Sequence, residues 1–119
     1  MNRDVAGRLL ELAQTGLEAL EYVQEQTGQG NYEGAISVFT DVLHSFSEIE
    51  DVLDSNHIAG VAELASATES LRDGFDWMVK AYEGGKQGDT LDIVQLTLIP
   101  RYQRWLEELQ KELSSNIEV

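Results

Sequence analysis

Cysteine is absent from the sequence, and proline occurs once, as Pro100. Without cysteine there is neither a disulfide framework nor a thiolate metal site. Cations are scarce as well: 8 Lys and Arg stand against 22 Asp and Glu, a formal net charge of −14 with both histidines neutral. Gripping a nucleic acid or an anionic membrane surface takes clustered Lys and Arg that release counterions, so neither partner is expected. No apolar run approaches the roughly 18 residues that a membrane span requires. The opening stretch MNRDVAGRLLEL reads as the polar entry to an amphipathic helix and lacks the apolar core of a signal peptide. The expected location is the cytoplasm.

What is present is enough apolar mass for one core. The 119 residues are 42% hydrophobic, a length and composition that suit one domain spanning 1–119. Three breaks stand out, at 28–31, 54–57 and 84–89, with glycines in the first and the last. Glycine takes the left-handed conformation that stops a helix, while Asn31, Ser55 or Asn56, and Asp89 offer side chains to cap the next one. Four helices are predicted, at about 3–27, 32–54, 57–83 and 90–115. Breaks this short join antiparallel neighbours, so the predicted fold is an all-α, up-down-up-down four-helix bundle.

Apolar periodicity supports the bundle. In the third helix Val61, Leu64, Thr68, Leu71, Phe75, Met78 and Tyr82 alternate three- and four-residue steps and keep one seam toward a partner. The first helix offers Val5, Leu9, Leu12, Gly16, Leu20 and Val23. The second offers Ile36, Phe39, Leu43, Phe46 and Leu53, and the fourth Leu91, Val94, Leu98, Tyr102, Trp105 and Leu109. Strand-type alternation is not sustained anywhere. Pro100 falls inside the fourth helix, where it removes one amide and deprives the Leu96 carbonyl of its usual donor, so a kink is expected there.

Paired acids are the nearest approach to catalytic chemistry. Glu18-x-x-Glu21 and Glu48-x-x-Asp51 resemble the carboxylate pattern that holds Mg²⁺ in all-helical nucleotide pyrophosphohydrolases. Metal-binding carboxylates in a bundle must project inward, whereas at about 100° per residue Glu18, Glu21 and Glu48 fall off the seams, as charge on a solvated face does. Asp41-x-x-His44 resembles half of a di-iron site, but the second pair is missing. The stretch Gly84-Gly85-Lys86-Gln87-Gly88 precedes a helix, yet Asp89 would occupy the free amides and repel a phosphate, and no strand leads into the loop. No nucleophile elbow or Ser/His/Asp set is visible. No metal or cofactor is expected, and the chain is read as non-enzymatic.

Glu50 is the one charged residue on a core seam, between Phe46 and Leu53. Pairing the first two helices about their hinge puts it near the level of Arg8, which predicts an ion pair between them, with solvent exposure at a frayed helix end as the alternative.

The outward side of the third and fourth helices carries the candidate site. Trp77 lies opposite the Thr68 and Phe75 seam, and Gly60, Ala67, Gly74 and Ala81 repeat small residues at seven-residue spacing. On the fourth helix Ile93, Leu96 and Ile99 add apolar surface away from the seam. Trp77, Gly74, Ala81, Ile93, Leu96, Ile99 and Pro100 are therefore the expected partner-binding residues, with burial of Trp77 and Leu96 in the groove between the two helices as the alternative. In layout and length the chain resembles small helical-bundle chaperones such as those of flagellar export, and that resemblance implies a protein that cradles an amphipathic client. The expected function is protein–protein interaction, as adaptor, chaperone or homodimer. A metal-dependent pyrophosphohydrolase and an acidic decoy for a basic partner are the alternatives.

Overall fold

The computed structural model describes residues 1–115, all but the last four positions of the expected 1–119 span. Helix α1 (Arg3–Gly28) is followed by α2 (Tyr32–Ser55) and α3 (Ala62–Glu83). A fourth rod then combines α4 (Gln87–Ile93), a π-helical turn (Val94–Leu98) and α5 (Ile99–Ser115). There is no strand among the described residues, and the expected all-α four-helix bundle is the observed fold. Its extents of 48 × 23 × 19 Å follow from the helices, since 22 to 26 residues at about 1.5 Å each run most of the long axis.

All three connections close alike. Asn31 N–H donates to the Gln26 carbonyl, Ile58 to Leu53 and Lys86 to Ala81, each beside a three-residue bond from the preceding amide. This is the Schellman closure, which puts the residue before each of those donors in the left-handed region. Gly30 (φ 80°) and Gly85 (φ 69°) fill that position without strain, while the middle turn uses His57 (φ 60°). Ile58 follows His57 and is buried, which is the hydrophobic contact that accompanies the motif.

That motif shifts two predicted boundaries. The third helix begins at Ala62, not near 57, because the Ser55 hydroxyl donates to the Asp51 carbonyl and the Asn56 amide to that of Val52. Both side chains satisfy the end of α2 instead of capping α3, whose N-cap Val61 has no side-chain bond. The fourth rod begins at Gln87, so Asp89 lies in its first turn and does not cap it. Asn31 does cap α2, accepting from Gly34 N–H at 3.3 Å.

The core seams hold more small residues than their large neighbours suggest. Ala6 and Ala13 are fully buried on α1 while Val5 is 38% exposed and Leu12 half-buried. On α2 the buried line runs through Ala35, Phe39, Val42, Phe46, Ile49 and Leu53, with Ile36 and Leu43 flanking it. On α3 Thr68 and Tyr82 flank the line, and Ala67, Gly74 and Ala81 join it. Small residues bring helix backbones together, and the larger side chains beside them fill the margins.

The fourth rod shows how Pro100 is accommodated. Upstream of it the ladder widens into a π turn, in which Ile99 N–H donates to the Val94 carbonyl five residues back. The buried residues Thr90, Val94, Leu98 and Tyr102 are spaced by four. In a regular α-helix such steps drift about 40° each, and a wider turn reduces the drift so that all four reach the core.

Candidate functional site

Two surfaces flank α3, and they are built differently. On one side α3 packs closely on the fourth rod. A Cβ placed on Gly74 would lie 3.2 Å from Leu98 Cδ2 and 3.6 Å from both Thr97 Cγ2 and Arg101 Cδ. Gly74, Ala67 and Ala81 therefore belong to this internal contact, and the small-residue stripe expected on the outer face faces the fourth rod, save for exposed Gly60. Outside it, Arg101 bridges the helices: its guanidinium donates to the Ser70 carbonyl at 2.7 Å and stands 5.2 Å from the centre of the Trp77 ring.

Trp77 itself is 51% exposed and Leu96 69% exposed. Ile93 and Ile99 are half-buried and packed against the core, and Pro100 is exposed. Trp77, Ala81 and Ile93 line one shallow depression of about 390 Å³ together with Lys80 and Lys86. Leu96 lies within the π turn, with Ile93 just before that turn and Ile99 and Pro100 just after it along the rod. The structure thus brings Trp77, Ile93 and Ala81 together, sets Leu96, Ile99 and Pro100 along the next turn, and withdraws Gly74 inside. Lys80 and Lys86 line the depression together with one acid, Asp89, and Arg101 stands over the Trp77 ring.

On the other side, α3 meets α2 through rings. Phe39 packs edge-on against Phe75 and Tyr82, with centroids 5.8 and 5.6 Å apart, and Phe46 lies 5.1 Å from both Phe75 and Trp105. Rings of this size hold the two backbones apart, and the seam opens into two hollows. One, of about 240 Å³, is apolar, with Ile36, Leu43, Val79 and Tyr82 in its lining. The other, about 520 Å³, lies between the end of α2 and the start of α3 and is lined by Glu50, Asp51, Asp54, Glu69 and Arg72 among others. Glu50 pairs there with Arg72, not with Arg8 as the sequence suggests. Glu50 faces the hollow it shares with Arg72 of α3, whereas Arg8 is an exposed residue of α1.

This α2–α3 seam escaped the sequence analysis. Its signal was the breadth of the α2 stripe, since Ile36 and Leu43 beside Ala35, Phe39 and Val42 are more than one seam needs. The paired acids are surface residues: Glu18, Glu21, Glu48, Asp51, Asp41 and His44 are all exposed. Among the described residues no three His, Asp or Glu side chains are grouped as a metal would require, and no helix is long and apolar enough to cross a membrane.

The aromatic side chains of the core carry buried polar atoms. Tyr102 reaches across to α1 and donates to the Ala13 carbonyl at 2.6 Å, beside Gly16, where a Cβ would lie 2.1 Å from the Tyr102 oxygen. Burial pushes the pKa of Tyr102 well above the ordinary tyrosine value. Burial also raises that of Tyr82, against a smaller lowering from Thr27. Trp105 is fully buried, and its indole N–H meets no acceptor among the described residues.

Residues 4–108 match the family described as a domain of unknown function (DUF8042), and the chain belongs to that family. No curated protein and no solved structure matches the chain.

Proposed function

We propose that this chain is a non-enzymatic interaction module that pairs with a second copy of itself through the outer face of α3 and the fourth rod. The observation that carries this reading is the exposure of Trp77 and Leu96 on two adjoining elements, flanked by half-buried Ile93 and Ile99. Two subunits of charge −14 repel one another, so they meet at least cost where the surface is least negative. Trp77 stands among Lys80, Lys86 and Arg101, which outnumber the one acid of the same depression, Asp89, and this local cationic excess favours the face. An aromatic anchor with aliphatic neighbours is also the composition of an interface centre, and the contact needs to bury upward of about 1,000 Å² in total.

Leu96→Glu tests the proposal. At 69% exposure Leu96 contributes little to the core, so the variant retains its helical circular dichroism. Light scattering then gives a dimer for the wild type and a monomer for the variant. A wild type that is monomeric at high micromolar concentration refutes self-association. Mg²⁺-dependent release of pyrophosphate from nucleoside triphosphates, abolished by Glu48→Gln, would favour the hydrolase instead.

A further inference from the structure

The α2–α3 seam lies on the other side of α3 from the proposed self-association face, and its two ends differ in kind. Ile36, Leu43 and Glu50 recur at seven-residue spacing and so follow one face of α2. The face begins largely apolar, among Val79 and Tyr82 of α3 with Glu83 the one acid in that lining, and ends acidic, among Asp51, Asp54 and Glu69. In the acidic hollow four carboxylates face a single guanidinium, Arg72, which leaves about three negative charges unmatched. Thr40 and Asp54, one in each hollow, are fourteen residues apart on one helix, or about 21 Å.

The acids stand where helix physics disfavours them. The C-terminal end of a helix carries partial negative charge, which cations relieve and carboxylates aggravate. Helix α2 has Glu48, Glu50, Asp51 and Asp54 in its final turns, no basic residue in the last one, and no Lys or Arg at all. A stability cost is thus retained at the end of the seam away from its apolar hollow.

We infer that the α2–α3 groove receives an amphipathic helix of another protein, about fourteen residues long, whose apolar stripe leads into a lysine- or arginine-rich end. The apolar half lies against Ile36, Leu43, Val79 and Tyr82, and the basic end meets Asp51, Asp54 and Glu69. A second copy of this chain is a poor occupant, since it would bring a charge of −14 to the acidic end. The inference does not depend on the dimer, because it uses the opposite flank of α3.

The probe is a labelled synthetic helix of about fourteen residues, with leucines at i, i+3, i+4 and i+7 in one half and lysines in the other, made in both chain directions. A control replaces the lysines by glutamates, and binding is followed by fluorescence anisotropy on the full chain. One lysine peptide binds saturably and more weakly as salt rises, and the glutamate control does not bind. Asp51→Lys with Asp54→Lys weakens binding by at least about tenfold and, by matching the helix dipole, does not lower the melting temperature. Thr40→Glu, at an exposed position in the apolar hollow, weakens it independently of that end. Leu96→Glu leaves binding unchanged. Failure of both lysine peptides to bind, equal binding of the glutamate control, or insensitivity to both groove variants overturns the inference. So does a wild-type oligomer that Asp51→Lys with Asp54→Lys dissociates, since the occupant would then be another copy.

Discussion

The two sides of α3 show how residue size sets the spacing of helices and how spacing leaves room for function. Toward the fourth rod α3 presents Ala67, Gly74 and Ala81, and the backbones meet closely enough for Leu98 and Thr97 to lie over Gly74. Toward α2 it presents Phe75 and Tyr82, whose rings meet Phe39 and Phe46 and hold the helices apart. The first contact is filled, so only its rim, with Trp77, is open to a partner. The second contact is filled at its centre by rings and remains hollow at both ends.

The sharpest way to break this contrast is to enlarge the close contact. Gly74→Leu puts a branched side chain where even a Cβ is 3.2 Å from Leu98, and forces α3 from the fourth rod. The expected loss is about 3 kcal/mol or more, read as a lower midpoint in urea, whereas a substitution of similar size at exposed Thr40 in the hollow of the other seam changes the midpoint little.

A smaller effect is expected at the other close approach, between α1 and α5. Gly16→Ala places a methyl group 2.1 Å from the Tyr102 oxygen and costs about 2 kcal/mol. Removing the hydroxyl in the double variant Gly16→Ala, Tyr102→Phe restores part of that loss, although Tyr102→Phe alone is destabilising by about 1 kcal/mol through its bond to Ala13. If the two changes are simply additive, the hydroxyl and the methyl do not share that space.

Alkaline titration isolates the same hydroxyl. Burial raises the pKa of Tyr102, and less so that of Tyr82, so above about pH 10 the unfolded chain releases protons that the folded chain retains. The stability contribution of these tyrosines is complete below pH 10 and declines as pH rises toward the folded values. Urea midpoints should be level from about pH 8 to 9.5 and fall beyond it, with a shallower fall in Tyr102→Phe.

The smallest effect is expected in the turn between α2 and α3. His57 holds φ 60°, so His57→Gly relieves a left-handed side chain and stabilises by about 0.5 to 1 kcal/mol, less the added freedom of glycine in the unfolded chain. A melting temperature that falls instead would show that the imidazole makes contacts worth more than the strain.

Much of this architecture was legible in the sequence, and the errors have a common physical origin. Helix number, the connection at 28–31, and the large core residues from Leu64 to Leu109 follow from periodicity and glycine placement. Alanine and glycine carry almost no hydropathic signal, so Ala6, Ala13 and Ala35 do not stand out as core residues, and periodicity points Val5 and Leu12 inward in their place. The same weakness placed Gly74 and Ala81 on the outer face. Trp77 and Leu96 were assigned outward from helical phase, and both are more than half exposed. The α2–α3 hollows depend on ring packing between helices distant in sequence, which no single helix pattern encodes.

The chain contains two tryptophans in opposite environments: Trp105 is fully buried, and Trp77 is half exposed on the outer face. Acrylamide quenching over a concentration series, with Trp77→Phe as reference for Trp105, follows the exposure of Trp77 directly. The account predicts that Trp77 becomes protected as the protein is concentrated into the micromolar range and stays accessible in Leu96→Glu. Quenching of Trp77 that is the same at every concentration would contradict self-association through this face.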